Sequence, residues 1–329
     1  MIFHLGSLIC LNELGLLPRI DRISSVSGGS LAAGILASGW SELRLDSQGF
    51  AENFHDAVSI PLLRLARMRV DIPTIALGLL PFVHAANVAA WIYDRVVFRR
   101  KTLQDLPQRP RFVFTSTSLQ TGVLWRFARD YSAEWRVGQW TAPRLPLALA
   151  VAASAGFPPL LSPATIDAAF SARLVLTDGG VYDNLGRELV WKRYRTLLVS
   201  DGGAVTQPSG RPASNWYSQF RRVLDISLQQ GINTRVRILN GLNRTQARNV
   251  AYWGLSTPVS SYGSNIALPF PTELSERAAS MPTRLTKFPD GVRRLLLEAG
   301  YAHASAAIDA SRVPVLRRSA PNFSALPKV

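Results

Sequence analysis

The stretch Ile20-Asp21-Arg22-Ile23-Ser24-Ser25-Val26-Ser27-Gly28-Gly29-Ser30, running into Leu31-Ala32-Ala33-Gly34-Ile35-Leu36, constrains the fold more than any other. A short apolar strand pattern ends in a serine–glycine corner, and a helix of small apolar residues follows at once. Such a unit belongs to layered α/β folds, with the corner at the carboxyl end of a sheet strand. A serine held there turns its hydroxyl outward, and the N-terminus of the next helix points at it. The usual elbow is Gly-x-Ser-x-Gly; here it is Ser25-Val26-Ser27-Gly28-Gly29, in which Ser25 is still small. Gly28 and Gly29 lack a Cβ, which suits a tight turn and a close approach by substrate. Taken alone, the stretch also fits a plainer account in which Ser24, Ser25, Ser27 and Ser30 simply cap a helix.

A second motif lies far downstream, in Leu174-Val175-Leu176-Thr177-Asp178-Gly179-Gly180-Val181-Tyr182-Asp183-Asn184. An apolar strand delivers Asp178 to a Gly179-Gly180 turn, with a helix expected to begin near Asn184. Together with Phe3-His4-Leu5-Gly6 and Ala152-Ala153-Ser154-Ala155-Gly156-Phe157-Pro158-Pro159, these motifs resemble the patatin-like phospholipases. The resemblance implies a serine acyl hydrolase with a Ser27–Asp178 dyad, acting on phospholipid or acylglycerol esters without a metal or cofactor. It also implies a strand and a Gly-Gly-Gly-x-Arg loop ahead of the first helix, whose amides form the oxyanion hole. Neither is found in this sequence, which is therefore read as lacking its first strand. Gly28 N–H, just after Ser27, is the oxyanion donor that remains in view.

The fold class expected is three-layer α/β/α with a largely parallel central sheet. Hydrophobic residues make up 47% of the 329 and charged ones 18%, enough for a sizeable core and too apolar for a disordered chain. One domain over residues 1–313 is the economical division, followed by a loose tail, 314–329, that holds Arg317 and Arg318. Cys10 is the only cysteine, so no intrachain disulfide can form, and it sits among apolar neighbours as a buried thiol would. His4, His55, His84 and His303 are scattered, with no metal-ligand spacing.

The chain opens on an amphipathic helix pattern (Ile2, Leu5, Leu8, Ile9, Leu11) stopped by Gly15 and Pro18. Residues 72–93 hold no Lys, Arg, Asp or Glu over 22 positions, long enough to cross a bilayer. Pro73, Pro81, His84 and Asn87 favour instead a pair of helices broken at Pro81, serving as an apolar lid or membrane-contact segment. Strands are expected around Phe112–Ser116, Val123–Phe127, Arg173–Thr177, Thr196–Ser200 and Ala251–Leu255. Helices are expected around Leu145–Ala155, Trp216–Arg244 and Lys287–Ala307.

An ester carbonyl is attacked quickly by an alcohol only if its proton leaves as the bond forms. No histidine falls in a strand-end turn that would clearly meet Ser27, so a carboxylate acting directly is the simpler proposal. Asp178 and Asp201 both end an apolar strand in Asp-Gly-Gly, and local sequence alone favours Asp178 only weakly. The resemblance decides for Asp178, leaving Asp201 structural and giving Asp183 and Asn184 the task of capping the next helix. Lys and Arg outnumber Asp and Glu by 37 to 22, a formal charge of +15 that favours anionic partners. An anionic membrane surface is expected; a nucleic-acid partner is not, because the arginines are dispersed and no recognised motif accompanies them. The expected place is cytoplasmic or peripherally membrane-bound rather than integral. The alternative on the same fold is a lipid- or membrane-binding pseudoenzyme impaired by the missing oxyanion loop.

Overall fold

The structure is a computed structural model describing residues 1–329 except 168–172, 204–205, 207, 213, 266–267, 283–285 and 317–319. Arg317 and Arg318 of the expected tail therefore lie outside the described residues.

The chain begins on helix α1 (Ile2–Glu13), followed by strand β1 (Arg22–Ser25) and helix α2 (Gly28–Gly39). Helices α3 (Ile60–Ala66), α4 (Asp71–Gly78) and α5 (Ala85–Tyr93) lead to β2 (Arg111–Ser118), β3 (Leu124–Ala128), β4 (Tyr131–Glu134) and β5 (Gly138–Thr141). Then come α6 (Leu147–Ala155), β6 (Ala164–Asp167), β7 (Arg173–Asp178), the single turn α7 (Gly180–Asp183) and β8 (Thr196–Asp201). The chain closes with α8 (Trp216–Arg244), β9 (Asn249–Gly254), α9 (Thr272–Ala279) and α10 (Asp290–Asp309).

The α/β class holds, but the largely parallel sheet does not. The main sheet runs β5-β4-β3-β2-β7-β6 with β1 paired to β2, and only the β1–β2 pairing is parallel. The reason is connection length. Residues 119–123, 129–130 and 135–137 are all that join β2 through β5, and links that short can only make hairpins. Strands β4, β5 and β6 are short and escape a periodicity argument. A second, two-stranded parallel sheet pairs β8 with β9.

Helix α1 is buried nearly all round rather than on one stripe, with Phe3, Gly6, Ser7 and Cys10 inside along with the apolar positions. It crosses α10 at two glycines: a Cβ on Gly6 would lie 2.0 Å from Leu297 O, and one on Gly300 would lie 1.8 Å from Phe3 O. Backbones this close exclude any side chain at the crossing. Residues 72–93 form α4 and α5 on either side of Pro81, and among the described residues no helix is long and apolar enough to cross a membrane. Where a loose tail is expected after residue 313, Leu326 is buried, Phe323 packs on Phe270 and Tyr301, and Arg294 donates to Phe323 O at 2.9 Å. An apolar side chain in a tail gains by covering core that would otherwise face water.

One feature of the main sheet positions the site. Strand β3 occupies one edge of β2, so β1 and β7 must share the other. β1 covers Arg111 to Phe114 running parallel, and β7 covers Ser116 to Ser118 running antiparallel. Approaching from opposite ends, the two strands bring their carboxyl termini together at Thr115.

Candidate active site

Strand β1 ends at Ser25, and the chain turns through Val26 and Ser27 into α2. The corner is tight: Gly29 N–H donates to Val26 O at 2.9 Å and Ser30 N–H to Ser27 O at 2.9 Å. The left-handed conformation falls on Ser27 (φ 53°, ψ −131°), not on the glycines. A side-chain-bearing residue held there is strained by about 1–3 kcal/mol, which neighbouring contacts must hold in place. A Cβ on Gly28 would lie 2.9 Å from Met1 N, whereas one on Gly29 would only touch His4 at 3.6 Å. The close approach at this corner is thus by helix α1, at Gly28. Ser27 precedes α2 without capping it by its side chain. Gly28 N–H, first in the helix, has no acceptor within it and is of the kind that binds anions.

The constraint on Ser27 comes largely from one residue of α6. Ser154 O accepts from Ser27 N at 3.1 Å and from Gly179 N at 3.3 Å, so a single carbonyl ties the serine corner to the aspartate turn. The side chain of Ser154 shares in this, since Ser30 Oγ lies 2.8 Å from Ser154 Oγ and donates to Ser25 Oγ at 3.0 Å. Thr115 Oγ1 donates to Ser25 O at 3.0 Å, and Thr117 Oγ1 to Asp178 O at 2.9 Å, so β2 holds both sides. A Cβ on Gly179 would sit 2.3 Å from Thr115 O, which is why the turn after Asp178 opens with glycine.

Asp178 is 1% exposed. Its Oδ1 accepts from Gly180 N at 2.7 Å, while Oδ2 is buried without a well-formed partner. Burial pushes its pKa from 3.8 to about 7; the Gly180 N–H and the Ser27 hydroxyl pull the other way. Ser27 is therefore near enough to favour the carboxylate, but no well-aligned bond is formed. A serine hydroxyl beside a buried carboxylate titrating near neutrality is an acceptor–donor pair able to pass a proton.

Asp201, the rival on sequence, is built into the same local turn, with Gly203 N–H donating to Oδ1 at 3.1 Å. Its second oxygen, however, accepts from Tyr252 OH at 3.0 Å. Both oxygens are thus engaged, and burial raises its pKa. Asp183 does not cap a helix starting at Asn184. It ends the single turn α7, accepts from Glu188 N at 2.7 Å and pairs with Arg235 at 3.2 Å. Asn184 instead lies between the two Asp-Gly-Gly turns, its amide 2.8 Å from a Cβ placed on Gly180 and 3.7 Å from one placed on Gly203.

Of the histidines, His4 reaches the region: its ring borders Gly29 and Gly202, and Nδ1 hydrogen-bonds with Ser200 Oγ at 2.8 Å. Burial drops its pKa to about 3, so it is neutral at physiological pH. His303 is packed among Phe3, Tyr262 and Phe270 in the core. No group of three or more His, Cys, Asp or Glu able to hold a metal ion occurs among the described residues. A cavity of about 580 Å³ is lined by Ser27, Gly28 and Gly29 together with residues of β1 and β8. Sequence reasoning quoted Ser154 without giving it a role, and it missed Thr115, Thr117 and Tyr252. Only the Ala-Ser-Ala run ahead of Gly156 marked Ser154 beforehand.

An α/β fold that sets a strained serine corner beside a buried aspartate turn defines a class of protein, and the family follows from the sequence. The family model described as patatin-like phospholipase (Patatin) matches residues 1–191, more than half of the chain, so the chain belongs to that family. No curated protein matches it. Among solved structures it is similar to VipD from Legionella pneumophila, with 14% identity and a TM-score of 0.40. That likeness covers 96% of this chain and 66% of VipD, so the chain spans slightly under two thirds of VipD's length.

Proposed function

We propose that this protein is a serine acyl hydrolase that cleaves lipid esters through Ser27 and Asp178. The observation that supports it most is Asp178 Oδ2, buried and without a partner next to a serine held at positive φ. In the reaction, Ser27 Oγ attacks the ester carbonyl carbon while Asp178 Oδ2 takes the hydroxyl proton. Gly28 N–H, at the start of α2, donates to the developing oxyanion. The proton then passes to the departing alkoxide, leaving an acyl ester on Ser27. Water, deprotonated by the same carboxylate, attacks that ester; its proton returns to Ser27 Oγ, and the fatty acid leaves. Direct action by a carboxylate needs its pKa near the working pH, and a value of about 7 meets that need.

The lipid side of the proposal rests on the family and on the surface near the site. The tip between α4 and α5 exposes Leu79, Leu80 and Phe82, the last at 99%. It is tied to the catalytic end by Asn87, which exchanges two hydrogen bonds of 2.9 Å with the backbone of Thr165, and by Ala86, which packs on Gly156. Gly156 O in turn accepts from Asp178 N at 3.0 Å. Phe157 and Leu160, in the segment after Gly156, are exposed as well. Arg64, Arg67, Arg99 and Arg100 are exposed in the flanking segments, so the lid meets an anionic bilayer with an apolar tip between basic flanks.

A fluorophosphonate probe with peptide mapping tests the chemistry. Ser27 is expected to be labelled in the wild type and in Asp201→Asn, but not in Asp178→Asn. A folded wild type that takes no label at Ser27 would refute the proposal and favour the lipid-binding pseudoenzyme.

A further inference from the structure

Helix α8 turns its apolar face outward. A surface helix ordinarily packs that face on the core and gives its polar face to water. In α8, Trp216, Phe220 and Val223 recur at steps of four and three, with Tyr217 and Leu224 beside them. All five are exposed, the first three at 79%, 64% and 61%. The side toward the protein is polar at its middle. Gln229 follows Phe220 by about two and a half turns and so points the opposite way. It accepts from Thr206 N at 3.3 Å and donates to Asn233 Oδ1 at 3.1 Å. Leu239, near the far end, is the one buried residue of the 29, in a small core with Leu197, Val199 and Val250. The carboxyl half thus fastens the helix, and the amino half carries an apolar stripe left open by the described residues.

Charge says what covers the stripe. α8 holds five arginines against one aspartate, and the whole chain carries +15. By helical spacing Arg221 borders the stripe on one side, and Arg237 and Arg244 on the other; all three are exposed. A second copy seated on the stripe would bring these like charges together, at a cost. An anionic bilayer offers the opposite charge above an apolar layer, and Trp and Tyr favour that boundary. With its six charged side chains α8 lies on such a surface and does not cross it. The helix also stands at the catalytic end of the fold. Arg235 pairs with Asp183 at 3.2 Å and donates to Tyr182 O, both in the turn that follows Asp178. Thr206, which meets Gln229, comes five residues after Asp201 at the end of β8. None of α8 falls within the residues matched by the family model.

From these observations we infer that the outward face of α8 is a membrane-docking surface. The helix lies in the plane of an anionic phospholipid bilayer, with Trp216, Phe220 and Val223 among the upper acyl chains and Arg221, Arg237 and Arg244 at the phosphates. Docked in this way, it sets the end of the protein that carries Asp178 beside the lipid. The contact is separate from the tip between α4 and α5, and it holds whether or not Ser27 is a nucleophile.

The test is flotation of the full chain with vesicles of phosphatidylcholine, alone or mixed with phosphatidylglycerol, in a Ser27→Ala background so that no lipid is consumed. Binding to the mixed vesicles is expected to exceed binding to phosphatidylcholine by about tenfold or more. Phe220→Gln combined with Val223→Gln, with the α4–α5 tip left intact, should lower it by about tenfold or more while circular dichroism stays unchanged. Because Cys10 is buried, Phe220→Cys, Val223→Cys and Asn240→Cys can each carry a polarity-sensitive fluorophore on the new thiol. On mixed vesicles the labels at 220 and 223 should shift to the blue and the one at 240 should stay in water. Unchanged binding by the double variant, or labels at 220 and 223 that stay in water, overturns the inference. A lipid-free dimer in sedimentation velocity that the double variant dissociates overturns it too and makes the stripe a contact between copies.

Discussion

Replacing Asp178 with asparagine should stabilise the protein at alkaline pH while removing the ester hydrolysis proposed above. Burial raises the carboxyl pKa from 3.8 in the unfolded chain to about 7 in the fold. Below pH 3.8 both states bind the proton and the residue contributes nothing to the balance. Between 3.8 and 7 the unfolded state ionises while the folded state does not, so stability falls as pH rises. Above 7 both are ionised, and the penalty levels off at about 4 kcal/mol, three pKa units at 1.36 kcal/mol each. Asparagine carries no such penalty, although its amide places an N–H where Oδ2 already lacks a partner, at about 1–3 kcal/mol. That second effect is independent of pH, so it cancels in a comparison across pH. Urea unfolding of wild type and Asp178→Asn at pH 4 and pH 8 should show the difference in their stabilities moving by about 4 kcal/mol in favour of the variant. A difference that stays constant within 1 kcal/mol would refute a strongly desolvated carboxylate, and with it the case for Asp178 as a base poised near neutrality.

The same ionisation should govern chemistry in the opposite direction: the rate of fluorophosphonate labelling at Ser27 should rise with pH and reach half its maximum near pH 7, and a flat profile from pH 5 to 9 would count against carboxylate activation. Gly179→Ala should lower stability by about 1–3 kcal/mol or more, because its Cβ meets Thr115 O at 2.3 Å, whereas Gly29→Ala, whose Cβ would make only an ordinary 3.6 Å contact with His4, should be close to neutral in the same urea titration. Leu79→Asp and Phe82→Asp should each weaken binding to phosphatidylglycerol vesicles roughly tenfold or more in a flotation assay. Reversing the charge of Arg64, Arg67, Arg99 and Arg100 should remove most of the salt dependence of that binding, and unchanged binding in both sets would place the membrane contact elsewhere.

Much of the candidate site's local structure was legible in the sequence because its parts are local. The Ser27 corner needs a strand, small residues and a helix start in succession, and Asp178 needs a strand and two glycines; both are written within a dozen residues. The pair of helices divided at Pro81 and the span of α8 follow from backbone chemistry and periodicity in the same way. What the sequence left open was every question of which distant group meets which. Asp178 and Asp201 end in the same Asp-Gly-Gly turn, with the same backbone bond from residue i+2, and differ because Tyr252 closes one oxygen of Asp201 and leaves Asp178 facing Ser27. The parallel sheet expected from alternating elements became antiparallel because hairpin links, not helices, join β2 to β5. The meeting of Ser27 and Asp178 rests on β1 and β7 sharing one edge of β2, and on Ser154 O accepting from both turns. A hydrogen bond across 124 residues, such as Ser30 to Ser154, leaves no period in either segment, so only the tertiary structure could decide it.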